Sequence, residues 1–268
     1  MNQLRQPIGP PDDLTDRADP KVAYRVTILW NRAIIGILGI LLPLIFIIGE
    51  AYFLRGGVHV RGSISAYYHS PMRDLFVAGL CVIGFFLATY LSGEGRTWDF
   101  RLSMVAGLAV LGVAFFPTTR PHLLPGAPRC GAMPMPDGCS PLQQQFGETL
   151  IAGIHFTFAA IFILSLAAIC FVFASPKRKK PEAPTMQKIL RFCGWVIIGA
   201  VGWAAIGGLL KFTIWELTPL YLAEVISVWA FGVAWLLKAR TLKEVYRPTR
   251  RDLQPTTNVH LQEPQQTG

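Results

Sequence analysis

Apolar residues gather in six long runs along the chain, and short polar segments separate these runs. A helix rises about 1.5 Å per residue, so about 20 apolar residues cross a hydrocarbon core of about 30 Å. Each run comes close to that length, and the third is the shortest. The pattern predicts an all-α integral membrane bundle of six transmembrane helices, at residues 33–54, 74–92, 102–116, 147–174, 189–210 and 219–237.

The same pattern divides the chain into three parts, which are a polar tail at 1–32, a six-helix transmembrane domain at 33–237 and a second tail at 238–268. The first apolar run lacks a small-residue cleavage site and follows a long polar stretch. A secretory signal peptide has the opposite features, so we expect this run to stay in the mature chain as a span.

The composition fits a membrane protein. Hydrophobic residues make up 52% of the chain and charged residues 15%, whereas soluble domains carry about 25% charged residues. The mean hydropathy is +0.41, and the sequence has no phosphate-binding glycine loop and no G-x-S-x-G motif. The net charge of +9 predicts membrane lipid as a partner and not nucleic acid, because no basic helix carries interleaved aromatic residues.

Lysine and arginine are distributed unevenly between the two sides that six spans define. The side that holds both termini carries 19 of the 25 basic residues, and the other side carries six. Cytoplasmic segments of membrane proteins carry the excess of Lys and Arg. We therefore predict that both termini are cytoplasmic and that the protein is a multi-pass protein of the inner (plasma) membrane.

Two cysteines lie in the Pro-rich segment between the third and fourth runs, on the predicted outer side. Cys130 and Cys139 are close in sequence, and an outer compartment permits oxidation. We predict that they form a disulfide bond, with two free thiols as the alternative. A metal site at this pair is disfavoured, because no second cysteine pair lies close by.

Ionisable residues within or beside the apolar runs need an explanation, because burying a charge in lipid is costly unless it is paired or hydrated. All of those identified fall in the predicted outer half of the membrane, and we expect no comparable set in the inner half. They predict one polar pocket that opens to the outside. The residues are Glu50, His69, Asp74, His155, Lys211, Glu216 and Glu224.

The segment SISAYYHSPMRD, residues 63–74, is the most polar stretch beside a predicted span. It offers hydroxyl, phenol, imidazole, guanidinium and carboxylate groups within twelve residues. Asp74 also has a simple structural interpretation, as an acid in the first turn of a helix. From this segment and its surroundings we predict a ligand-binding set of Ser65, Tyr68, Arg73 and Lys211.

A resemblance to known proteins rests on three stretches, which are SISAYYHSPMRDLFVAGLCVIGFFLATY, GIHFTFAAIFILSLA around His155, and AEVISVWAFGVAWLLK. Over residues 30–240 the chain resembles a domain-of-unknown-function family of bacterial six-helix inner-membrane proteins. More remotely, Ser65, His69, Asp74 and His155 are similar to the CREST superfamily of integral-membrane metal-dependent hydrolases. That superfamily uses a serine, an aspartate and three histidines, two of them as H-x-x-x-H, and this sequence has Glu224 in its final run instead.

Two functions of different classes follow. In the first, the protein is a metal-dependent hydrolase of a lipid or lipid-linked substrate. His69, Asp74 and His155 would hold a metal, with zinc the candidate, and its bound water would become the nucleophile. Glu224 or Glu50 would accept the proton.

In the second, the protein is not a catalyst, and the same groups bind a lipid head group or small solute or pack the bundle. Arg73 and Lys211 could then face an anion. The residue pattern favours this second hypothesis and leaves the oligomeric state open. In both cases we expect a contiguous site in which His155 lies within hydrogen-bonding reach, directly or through one water or ion, of His69, Asp74 or Glu224.

Overall fold

The computed structural model describes residues 20–54, 60–89, 97–121, 126–175, 183–214 and 217–245. These ranges contain helices and no β-strand, which confirms the all-α class. The helices are α1 (Pro20–Leu54), α2 (Arg73–Thr89), α3 (Trp98–Phe115), α4 (Pro141–Phe146), α5 (Glu148–Phe173), α6 (Pro184–Leu210) and α7 (Pro219–Val245), with a 3₁₀ helix at Ile64–His69.

The six long helices form a ring in chain order. α1 packs on α2, α2 on α3, α3 on α5, α5 on α6 and α6 on α7, and α7 closes the ring against α1. Large aromatic side chains fill the interior, including Phe46, Phe76, Phe173 and Trp235. Since the hydrophobic pattern runs around most of each helix, each one can bury one face and present the other to lipid.

Glycines allow two of these helix pairs to approach closely. A Cβ atom on Gly107 of α3 would lie 2.7 Å from the backbone nitrogen of Ala88 and 2.7 Å from the carbonyl oxygen of Gly84, both in α2. At the α1–α7 contact, a Cβ atom on Gly232 would lie 3.0 Å from the carbonyl oxygen of Gly36. Small residues at such contacts favour helix association in membranes, because they let the two backbones touch.

Five helices are long and apolar enough to cross a membrane in the described part of the chain, which makes this a multi-pass membrane protein. They lie in α1, α3, α5, α6 and α7. α2, at the predicted span 74–92, has 17 described residues. That is about 26 Å of helix, slightly less than a hydrocarbon core of about 30 Å.

Most ends of the long helices lie close to the ends of the predicted spans, and some helices extend beyond them. α1 begins at Pro20, inside the predicted tail 1–32, and α7 continues to Val245, beyond the predicted boundary at 237. The predicted disulfide bond is confirmed, with an S–S distance of 2.04 Å between Cys130 and Cys139. It lies in the segment that connects α3 to α4 and α5.

Candidate functional site

Two connecting segments cover one end of the helix ring, which we call the loop end. Segment 60–72 connects α1 to α2 and contains the 3₁₀ helix Ile64–His69, which the hydroxyl of Ser63 caps. Segment 116–147 connects α3 to α5 and contains the disulfide bond and α4. Polar side chains from the helices hold both segments in place.

A buried ion pair holds segment 60–72 to α1. The Glu50 carboxylate accepts hydrogen bonds from Arg61, at 2.8 Å from Nε to Oε1 and 3.1 Å from Nε to Oε2, and Arg61 Nη2 also donates to Oε1. The Glu50 side chain is 2% exposed and the Arg61 side chain 18%. The pair therefore neutralises a carboxylate that is shielded from water, while the guanidinium keeps one accessible edge.

Two further hydrogen bonds connect the same segment to α7 and to the residue that precedes it. The backbone N–H of Ile64 donates to Glu224 Oε2 at 2.5 Å. The hydroxyl of Thr218 donates to the carbonyl of Gly62.

Tyr67, in the same segment, is fully buried, and burial raises the pKa of its phenol. Its hydroxyl has no hydrogen-bond partner among the described residues.

Glu148, at the start of α5, organises segment 116–147. Its Oε1 accepts the backbone N–H of Arg120 at 2.8 Å, and its Oε2 accepts the Arg120 guanidinium at 3.2 Å and the backbone N–H of Cys130 at 3.3 Å. The Arg120 guanidinium also donates to the carbonyls of Pro128 and Asp137. Glu148 is 1% exposed, so one carboxylate fixes three points of the segment.

The two candidate histidines bind backbone carbonyls just beyond the end of α3. His155 Nδ1 lies 2.6 Å from the carbonyl oxygen of Phe116, and His69 Nε2 lies 2.8 Å from that of Thr118. Gln143 also donates to the Thr118 carbonyl, at 2.9 Å. Burial lowers the pKa of the His69 imidazole. Since a carbonyl oxygen can only accept, the Nε2–H of His69 is the donor.

A polar cavity of about 710 Å³ lies between the two segments. It has charged, hydroxyl-bearing and apolar walls. Beside it lies an apolar slot of about 210 Å³ between α5, α6 and α7. Phe156 and Leu220 line both, so the slot directly adjoins the cavity. The polar groups that line the polar cavity are those of Glu50, Arg61, Ser63, Thr118, Thr119, Arg120 and Thr218.

The predicted metal ligands are not brought together. Among the described residues, no three His, Cys, Asp or Glu side chains are placed to hold one metal ion. Asp74 is exposed in the first turn of α2, as its structural interpretation predicts. His155 is buried, and its Nε2 has no hydrogen-bond partner in the described ranges.

Contact of His155 with His69, Asp74 or Glu224 through one water or ion stays a prediction. The described residues show no direct hydrogen bond from His155 to any of the three. The physical reason is that α3 ends at Phe115. The last carbonyls of a helix have no partner within the helix, so the carbonyl of Phe116 is free to pair with His155 Nδ1.

The other predicted residues are distributed over separate places. Glu50 and Glu224 each anchor segment 60–72 and line different cavities. Tyr68, His69 and Arg73 line a third cavity of about 390 Å³, and the Arg73 guanidinium lies 5.2 Å from the centre of the Tyr68 ring. Ser65 is buried and Lys211 is exposed at the end of α6, and neither lines these cavities. Glu216 lies outside the described residues.

Sequence reasoning missed Arg61, Arg120 and Glu148. Glu148 had a usable signal, because it lies within the predicted span 147–174 and a carboxylate there requires a partner. The two arginines had none, since nothing in a loop sequence identifies which of its cations pairs with a buried acid.

A second buried polar set lies just outside the ends of the predicted spans 33–54, 102–116 and 219–237. At the end of the ring opposite the loop end, Arg32, Asp99 and Lys238 are each 5% exposed or less. Arg32 donates to the carbonyl of Lys238 at 3.0 Å, and both cations lie over the Phe173 ring, at 5.6 and 5.4 Å from its centre. An aromatic face of this kind attracts cations, which explains how apolar surroundings accommodate them.

Comparison with known proteins identifies a family. The model of a family described as a protein of unknown function (DUF998) matches residues 37–236. No curated protein matches this chain, and no solved structure does. The resemblance to a domain-of-unknown-function family is confirmed, whereas the bacterial source and the similarity to the CREST superfamily stay predictions.

Proposed function

Since this chain belongs to the DUF998 family, whose description assigns no activity, we propose a function from its geometry: the protein binds a phosphate-bearing membrane amphiphile without catalysis. The head group occupies the polar cavity and one hydrocarbon chain occupies the apolar slot. The observation that carries this proposal is the meeting of the two spaces at Phe156 and Leu220. A polar cavity that continues into an apolar slot matches the shape of an amphiphile and not that of a fully soluble metabolite.

Arg61 is the group that recognises the head group. A guanidinium has five N–H donors, and Arg61 uses its Nε–H and one Nη2–H on Glu50. The other three have no acceptor within the described ranges. Arginine suits phosphate because its planar fork can donate two parallel hydrogen bonds. Arg120 contributes less, since Glu148 and two carbonyls occupy most of its donors.

The apolar slot accommodates one chain. Its walls come from α5, α6 and α7, and along α5 they extend from Phe156 to Leu164, which is about 12 Å at the rise of a helix. That length covers roughly the depth of one leaflet of the hydrocarbon core. Small side chains at Ala160 and Ala204 leave the space open.

The proposal includes a topology in the inner membrane with six spans and both termini in the cytoplasm. With this topology the loop end faces the outside of the membrane. A reporter fused after Arg129, in segment 116–147, should then be active only as an extracytoplasmic reporter. The physical reason is the excess of basic residues on the opposite side. Paired alkaline phosphatase and green fluorescent protein fusions measure this, and fluorescence from the fusion after Arg129 would refute the orientation.

Filling the slot should abolish binding of a single-chain phosphate amphiphile. We expect Ala160→Phe to weaken binding of dodecyl phosphate at least tenfold, because the added ring occupies the space of the chain. Native mass spectrometry of the purified protein in a maltoside detergent measures it. Ala205→Phe is the matched control, since Ala205 is exposed on α6 and does not line the slot.

Equal dodecyl phosphate binding by Ala160→Phe and Ala205→Phe would exclude the slot as the chain site. Absence of binding by the unmodified protein would refute the proposed function. Dodecyl maltoside, which has the same chain and no phosphate, tests the head group and should not compete.

A further inference from the structure

We propose that the natural amphiphile carries a hydroxyl or amide N–H within a few carbons of its phosphate, and that Glu224 accepts a hydrogen bond from this donor. This inference rests on the proposed function and specifies its ligand class. It follows from the position of one carboxylate in an otherwise apolar slot.

Glu224 lies one helical turn below Leu220, the residue at which the polar cavity and the slot meet. A turn of helix is about 5.4 Å. A ligand chain that enters past Leu220 therefore reaches Glu224 within its first few carbons. The rest of the described slot is formed by alanine, aliphatic and phenyl side chains and the hydroxyl of Ser227.

The carboxylate has capacity for a second partner. Oε2 accepts the backbone N–H of Ile64, whereas Oε1 accepts no hydrogen bond from any described residue. Glu224 is partly exposed, and it lines the slot. A carboxyl group among apolar walls is unfavourable unless donors satisfy it. A donor on the ligand would supply what the protein does not.

Segment 60–72 explains why this carboxylate is held at that point. The 3₁₀ helix begins at Ile64, and its first N–H groups have no partner within the helix. Glu224 takes one of them, which fixes the carboxyl group between the segment and the slot. Oε2 thus has a structural role, and Oε1 keeps its capacity to accept a hydrogen bond.

The test compares three probes that share a phosphate and a twelve-carbon chain: dodecyl phosphate, 2-hydroxydodecyl phosphate and 2-methoxydodecyl phosphate. The unmodified protein should bind the hydroxyl probe about tenfold more tightly than the other two, since a hydrogen bond to a carboxylate is worth about that factor. The methoxy probe has the same oxygen without the donor, so it separates donation from added polarity.

Glu224→Gln provides the matched variant. Its amide oxygen can keep the bond to the Ile64 N–H, and its NH₂ group replaces the free oxygen with a donor. We expect the preference for the hydroxyl over the methoxy probe to fall below twofold in this variant, whatever the change in its affinity for dodecyl phosphate. The unfolding temperature of the variant checks that the segment remains folded.

Each result decides between the two proposals. Failure of all three probes would refute the proposed function and this inference together. Binding of all three with equal affinity by the unmodified protein would refute the inference and leave the proposed function standing. A hydroxyl preference that persists in Glu224→Gln would also refute it, because the recognising group would lie elsewhere. If the variant does not fold, the hydroxyl-to-methoxy comparison in the unmodified protein still decides the donor requirement.

Discussion

Replacing Glu148 with alanine should destabilise the protein by about 3–5 kcal/mol, the usual cost of removing one partner of a buried ion pair. Glu148 is almost completely buried and receives hydrogen bonds from the Arg120 guanidinium and from two backbone N–H groups. Its loss leaves a cation and two buried donors without their acceptor. Arg120 would keep its bonds to the carbonyls of Pro128 and Asp137, which cannot neutralise its charge.

The free energy of unfolding in detergent micelles, measured by denaturant titration, tests this prediction. Asp74→Ala is the matched control, because Asp74 is also an acid in the first turn of a helix but is exposed. Its removal should cost at most about 1 kcal/mol. If the two alanine variants were equally stable, Glu148 would not be the residue that organises segment 116–147.

Hydrophobic patterning predicted the helices well for a physical reason. A helix in lipid must satisfy its backbone groups internally and present apolar side chains to its surroundings, so its sequence is constrained at nearly every position. α6 ends at Leu210 and α7 begins at Pro219, as predicted. The extension of α1 back to Pro20 was not predicted, because a helix can continue beyond the membrane with polar residues.

The candidate site was less predictable because its partners are largely backbone groups. His69, His155, Gln143 and Glu224 each bind a main-chain carbonyl or N–H. Every residue has such groups, so no pattern of residue types reveals which one is chosen. Most of the ionisable residues that the sequence singled out do lie at the loop end, beside the cavities described above. The pairing of Glu50 with Arg61 could not be predicted from the sequence, because it depends on the path that segment 60–72 takes over the bundle.

Because Arg61 pairs with Glu50, a single and a double variant of these two residues can separate the effect on stability from the effect on ligand binding. Arg61→Gln should destabilise the protein by about 3 kcal/mol, since it leaves the buried Glu50 carboxylate without its cation. In the double variant Glu50→Gln/Arg61→Gln no charge remains unpaired, and the two amides can still hydrogen bond across the same gap. We therefore expect the double variant to recover most of the lost stability.

Binding should not recover with it. The phosphate head group is proposed to bind the three free N–H donors of Arg61, and a glutamine provides neither their number nor a positive charge. Dodecyl phosphate affinity should thus fall at least tenfold in the single and the double variant alike, when native mass spectrometry is combined with unfolding measurements on the same samples. A double variant that is stable and binds dodecyl phosphate as the unmodified protein does would show that Arg61 serves only to neutralise Glu50. The polar cavity would then be a structural consequence of folding segment 60–72 over the bundle, and the head group would have to be sought at Arg73 in the third cavity.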